Sequence, residues 1–126
     1  MQIEFFPERG LDTPCILIHS GSLDDYRLLR ETCAGLACGT VPSAEMHRLP
    51  GFSGVPLVAT VAMREVGVRR VGSADVFHWA LDTESWECVV ELLKPFAAQV
   101  CEKHGHQYLD CNAGRINVII STDRTW

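Results

Sequence analysis

The chain has 126 residues, is 47% hydrophobic and 21% charged, and carries a formal net charge of −5 at pH 7. This composition is typical of a soluble globular protein, so we expect one α+β domain over residues 1–126. The acidic balance and the short basic runs argue against nucleic acid or an anionic membrane as partner. No apolar run is long enough to predict a membrane-spanning helix, and the first residues do not read as a secretory signal. We therefore expect a cytoplasmic protein.

The first third of the chain predicts two strands and a helix. Gln2 to Phe6 and Cys15 to His19 are apolar and β-prone. Apolar residues at helical spacing then predict a helix from about Leu23 to Ala37. The Gly39–Val55 stretch that follows is rich in proline and glycine, so it either holds a short strand around Ala44–Leu49 or is a functional loop.

The middle of the chain predicts three consecutive strands. Leu57 to Met63, Val68 to Val71 and Val76 to Leu81 are apolar runs separated by turn residues. Short connections favour hairpins, so we expect these strands to form an antiparallel meander.

A second helix is the best-supported element of the last third. Apolar residues recur on one helical face, Asp82 or Thr83 can cap the start, and Gly105 can end it with Lys103 and His104 in the last turn. Two strands follow, at Gln107–Asp110 and Ile116–Ser121. The apolar face is formed by Trp86, Val89, Val90, Leu93, Phe96, Ala97 and Val100.

The predicted order of elements indicates an α+β fold. We expect a largely antiparallel sheet of about six or seven strands, with two helices packed on one face. We find no internal repeat in the sequence. The order of the strands within the sheet does not follow from the pattern.

The strongest chemical cluster contains Cys101, His104, His106 and Cys111, all of them residue types that bind zinc. The sequence lacks the second half of a familiar zinc motif, so the alternative is that these residues only pack at a helix end. No other cofactor is indicated. The remaining cysteines read as reduced thiols that act as small apolar side chains, since a cytoplasmic domain of this size does not need disulfides.

Two weaker patterns concern catalysis and anion binding. The turn from His19 to Ser22 joins a strand to a helix, where backbone N–H groups can hold an anion, but Asp24 and Asp25 oppose that. A Cys–His pair is arithmetically available, but no local context marks a cysteine as a nucleophile, and Ser53 lies in a sequence one residue short of a Gly-x-Ser-x-Gly elbow. The sequence therefore does not favour an enzyme.

Aromatic residues near the second helix suggest an interaction surface. His78 and Trp79 lie on opposite faces of their predicted strand, so one of them should point away from the helices. With Tyr108 and the last residue, Trp126, they are the candidate partner-binding residues.

The sequence thus favours a non-enzymatic module that binds a protein partner, and an acidic module suits a basic partner. A zinc- or thiol-dependent protein built on the Cys/His cluster is one alternative. A small-molecule binding domain with a pocket between helix and sheet is the other.

Overall fold

The computed structural model describes residues 1–7, 14–98, 105–110 and 116–124. Within those ranges the chain forms nine strands, two α-helices and one 3₁₀ helix. In chain order the elements are β1 (Gln2–Phe6), β2 (Cys15–His19), α1 (Leu23–Ala37), β3 (Ser43–Glu45), the 3₁₀ helix (Met46–Arg48), β4 (Ser53–Gly54), β5 (Leu57–Val61), β6 (Gly67–Arg70), β7 (Phe77–Leu81), α2 (Thr83–Ala97), β8 (His106–Asp110) and β9 (Asn117–Ser121). No helix in this described part is long and apolar enough to cross a membrane.

The described strands form two mixed sheets. The first sheet has the order β4-β1-β2-β9-β8, and the second has the order β3-β5-β7-β6. At the centre of each sheet two strands run parallel, β2 beside β9 and β5 beside β7. The α+β class is confirmed, but the prediction of one largely antiparallel sheet is wrong, because the central strands pair with partners that are distant in sequence.

The predicted antiparallel meander is also wrong. β6 and β7 form the expected antiparallel hairpin, but β5 lies on the other side of β7 and runs parallel to it. β6 is left at the edge of the sheet, where Arg69 and Arg70 are exposed. Charged side chains suit an edge strand because they discourage pairing with another chain.

The two halves of the chain repeat one order of elements, ββαββ. The first half supplies β1, β2, α1, β3 and β5, and the second supplies β6, β7, α2, β8 and β9. The 3₁₀ helix and β4 are an insertion before β5. Each half gives its first strand pair to one sheet and its last strand pair to the other. Each sheet therefore combines the first strand pair of one half with the last strand pair of the other half.

The strand registers show the same internal repeat. In one sheet β1 pairs antiparallel with β2, and β2 pairs parallel with β9. In the other sheet β6 pairs antiparallel with β7, and β7 pairs parallel with β5. The matching cross-strand rows are Ile3, Ile18 and Ile120 in one sheet, and Val68, Trp79 and Ala59 in the other.

The two helices match in length, in N-terminal capping and in the spacing of their buried residues. Each has 15 residues, and each is capped by a short polar side chain, Ser22 for α1 and Asp82 for α2. Their buried positions have the same spacing: Tyr26, Leu29, Cys33 and Leu36 in α1, and Trp86, Val89, Leu93 and Phe96 in α2. The structure therefore contains an internal repeat that the sequence does not show, since the repeat preserves burial and spacing but not residue identity.

One main core joins both sheets and both helices. Phe5 of the first sheet lies 4.6 Å from Phe77 of the second, measured between ring centroids. The Trp79 and Trp86 rings lie 4.7 Å apart and connect β7 to α2. The Phe5–Phe77 contact links the two halves, and the main buried cluster contains residues of both, so neither half has a separate core of its own.

The second helix ends earlier than the sequence predicts. α2 finishes at Ala97, and Ala98 has an extended backbone with φ −97° and ψ 152°. Pro95 has no N–H to donate in this last turn, so the helix loses a hydrogen bond where it ends. The predicted last turn at Lys103 and His104 lies outside the described residues.

Candidate functional site

The predicted zinc cluster falls largely outside the described structure. Of its four residues, Cys101, His104 and Cys111 are outside the described ranges, and His106 is an exposed residue at the start of β8. Among the described residues no group of three or more His, Cys, Asp or Glu could hold a metal ion. The zinc site therefore stays a prediction, which metal analysis of the purified protein would test.

The two candidate partner-binding residues that are described and exposed lie on different sheets. His78 is exposed on β7 of the second sheet, and Tyr108 is 41% exposed on β8 of the first sheet. Trp79 is fully buried, and Trp126 lies outside the described residues.

Trp79 is part of the core, so its assignment as a partner-binding residue is wrong. Its Nε1–H donates to Asp110 Oδ2 at 2.9 Å, and its ring packs on Trp86. Burial raises the pKa of the Asp110 carboxyl, while this hydrogen bond opposes the shift. The strand alternation that exposes His78 turns Trp79 inward, as expected for adjacent strand residues.

A row of carboxylates lies along the exposed side of α2. Glu84, Glu87 and Glu91 occupy positions i, i+3 and i+7, which share one helix face. None of the three forms an ion pair with any described residue. The row is the densest acidic feature of α2.

A groove runs along this row. Its volume is about 570 Å³, and its described lining consists of the three glutamates with Cys88 and Leu92. Leu92 is half-buried and Cys88 is an exposed free thiol. We call this feature the α2 groove: Glu84, Glu87, Cys88, Glu91 and Leu92.

A second, smaller groove of about 230 Å³ adjoins the first. It lies between the two helices and shares Glu87 and Glu91 with the α2 groove. Its other described lining residues are small or apolar: Ala34, Ala37, Cys38 and Val90. Glu87 and Glu91 therefore stand on a ridge with apolar surface on both sides.

Arginines on α1 do not neutralise the row. Arg30 Nε donates to the carbonyl of Val90 at 3.1 Å, and Arg27 Nε donates to the carbonyl of Ala97 at 3.2 Å. These bonds place the start of α1 near the end of α2, so the helices are antiparallel. Positive charge at the C-terminal end of α2 also suits the helix dipole.

A separate cluster surrounds His19 at the end of β2. His19 is 4% exposed, and its Nε2 lies 2.7 Å from Glu4 Oε1 while its Nδ1 lies 2.6 Å from Ser20 Oγ. Arg124 holds Glu4 by two hydrogen bonds of 3.1 and 3.0 Å. The hydrogen bond from Arg124 is the largest cause of a lowered Glu4 pKa, with a further contribution from His19.

The sequence revealed each site only in part. Helical spacing predicts the apolar face of the second helix but not the groove, which depends on the tertiary structure. The sequence also singles out the turn from His19 to Ser22, but not its contacts, because Glu4 is 15 positions from His19 and Arg124 is 120 positions from Glu4. Such separations are visible only once strand order is known.

Comparison of the chain with protein-family models, with curated proteins and with solved structures finds no match.

Proposed function

We propose that this protein is a binding module whose α2 groove receives a basic, amphipathic segment of a partner protein. The observation that carries the proposal is the row of three exposed glutamates without ion-pair partners among the described residues, beside apolar groove surface. A helix that carries lysine or arginine on one side and leucine on the other complements this arrangement.

The proposal divides the expected binding energy between charge and apolar contact. Exposed ion pairs contribute about 0.2–1 kcal/mol each, so three of them account for roughly 0.6–3 kcal/mol. Contact with Leu92, Cys88 and Val90 supplies the apolar part. The net charge of −5 further favours encounter with a basic partner at low salt.

The test uses a synthetic amphipathic helical peptide of lysine and leucine as probe. Its affinity is measured by fluorescence anisotropy for the wild type and for the triple variant Glu84→Gln, Glu87→Gln, Glu91→Gln. We expect the triple variant to bind about tenfold more weakly, which corresponds to about 1.4 kcal/mol. Leu92→Ser should weaken binding with all three charges retained.

A matched control removes the same number of charges elsewhere. Asp24→Asn, Glu31→Gln and Glu65→Gln alter three exposed carboxylates outside the α2 groove. We expect this control to change affinity by less than about twofold, apart from long-range screening effects. Equal losses in both triple variants would mean that net charge alone attracts the peptide, and the α2 groove would then be abandoned as the binding site.

A further inference from the structure

The contacts of His19 form a continuous hydrogen-bonded chain from carboxylate to imidazole to hydroxyl. Glu4 is ionised at neutral pH and can only accept, so the neutral ring must carry its proton on Nε2. Nδ1 is then left as the acceptor, and the hydroxyl of Ser20 donates to it across 2.6 Å. This is the order of groups that activates a serine nucleophile, although here the serine approaches Nδ1 and the carboxylate approaches Nε2.

The backbone at Ser20 supplies a second, independent observation. Ser20 has φ 59°, and it is the only non-glycine residue with positive φ in the described part of the chain. A serine in this left-handed conformation costs free energy, and such residues cluster at functional sites. The conformation ends β2 sharply and leaves Ser20 exposed, while the histidine behind it stays buried.

We infer that Ser20 is a nucleophile for acyl transfer, with His19 as its general base and Glu4 as the residue that positions the ring. This activity goes beyond the proposed binding function and does not depend on it. Arg124 is not required for the chemistry itself, because its hydrogen bonds go to the Glu4 carboxylate and not to the imidazole.

The reaction is balanced without any added cofactor. Ser20 Oγ attacks the carbonyl carbon of an ester while its proton passes to His19 Nδ1. The bond to the leaving oxygen then breaks, and that oxygen takes the proton from Nδ1. A water molecule repeats the same steps on the acyl-serine and releases the carboxylic acid.

The charges around the turn favour neutral esters as substrates. Asp24 and Asp25 lie in the first turn of α1, immediately after the Ser20–Ser22 turn, and they disfavour an anionic acyl group.

The experiment measures covalent labelling by a fluorophosphonate, which forms a phosphonyl-serine with loss of fluoride, followed by peptide mass mapping. We expect labelling at Ser20, none at that peptide in Ser20→Ala, and unchanged labelling in Ser53→Ala. General acid–base catalysis is worth on the order of 10²–10⁴-fold, so Glu4→Gln and His19→Gln should each slow labelling at least tenfold. A burst of p-nitrophenol from p-nitrophenyl acetate should follow the same order.

A paired variant separates chemistry from stability. Arg124→Gln removes the same ion pair as Glu4→Gln but leaves the Glu4–His19 contact, so it should keep labelling within about threefold. Labelling at Ser20 that is no faster than in the urea-unfolded chain would overturn the inference. Equal losses in Glu4→Gln and Arg124→Gln would also overturn it, because the carboxylate would then act only through stability. The triple variant of the α2 groove should label normally, so failure here leaves the binding proposal intact.

Discussion

At the scale of single residues, the ion pair of Glu4 and Arg124 links pH to stability. A carboxyl whose pKa is lowered in the folded state stabilises the fold above its unfolded pKa, here 4.5, and loses this contribution as pH falls through the folded-state pKa. Arg124 is the largest cause of the lowering, so removing it should remove most of the effect.

We therefore expect Arg124→Gln to lower the free energy of unfolding by about 0.5–1 kcal/mol at pH 6 and by less at pH 3, where more of the Glu4 carboxyl is protonated. Urea unfolding at the two pH values measures the difference. Arg48→Gln is the control, since the Arg48–Glu45 pair is highly exposed and should contribute almost nothing. A loss of equal size at both pH values would show that Arg124 acts by packing on Phe6 rather than through Glu4.

At the scale of elements, the buried face of α2 is the best test of the helix assignment. Trp86 is fully buried in the core, and its Nε1–H donates to the Thr60 carbonyl at 3.0 Å. Tyr26 makes the equivalent bond from α1 to the Ser121 carbonyl at 2.7 Å. Each helix is thus anchored by one aromatic side chain to an inner strand contributed by the other half, α2 to β5 and α1 to β9.

We expect Trp86→Ala to lower the free energy of unfolding by about 3–5 kcal/mol, because it leaves a large cavity and removes the hydrogen bond to the Thr60 carbonyl. Urea unfolding followed by far-UV circular dichroism measures the loss. Glu87→Ala, one position along the helix and exposed, should cost less than about 0.5 kcal/mol. A loss below about 1 kcal/mol for Trp86→Ala would place this helix face at the surface.

The sequence predicted local elements better than their partners. The bounds of α1 and of β1 and β2 are confirmed, because periodicity, a capping box and turn residues are all local signals. Strand pairing failed at β5, β6 and β7, since short connections favoured a meander and the parallel pairing of β5 with β7 left no local trace. The same limit applies to the candidate sites: alternation predicted that either His78 or Trp79 points away from the helices but not which one, whereas the groove and the His19 contacts required the tertiary fold.

At the scale of the whole molecule, the internal repeat is interlocked. Each ββαββ half contributes two strands to either sheet, so neither half contains a complete sheet. The parallel pairs β2–β9 and β5–β7 both join the two halves, and so does the antiparallel helix pair. An apparent tandem of two units is therefore one cooperative structure, because buried apolar residues of both halves belong to one main core.

The connection between the halves offers a direct test of this cooperativity. Residues 62–66 link β5 to β6, and Met63 in this link is completely exposed. A cut after Met63 breaks no strand pair, so fragments 1–63 and 64–126 together contain every helix and strand intact. We expect each fragment alone to lack a cooperative urea transition, and an equimolar mixture to recover the circular dichroism of the intact chain as a one-to-one complex.

Mass action decides how stable that complex is. Its unfolding midpoint should rise with fragment concentration, whereas the midpoint of the intact chain should not. Trp86→Ala in the second fragment should weaken the assembly by about the same 3–5 kcal/mol that it costs the intact chain, because the lost contacts with Trp79 and the core are the same. A cooperative transition in either isolated fragment would instead mean that one ββαββ half folds by itself, and the exchange of strands between the sheets would then be secondary to its stability.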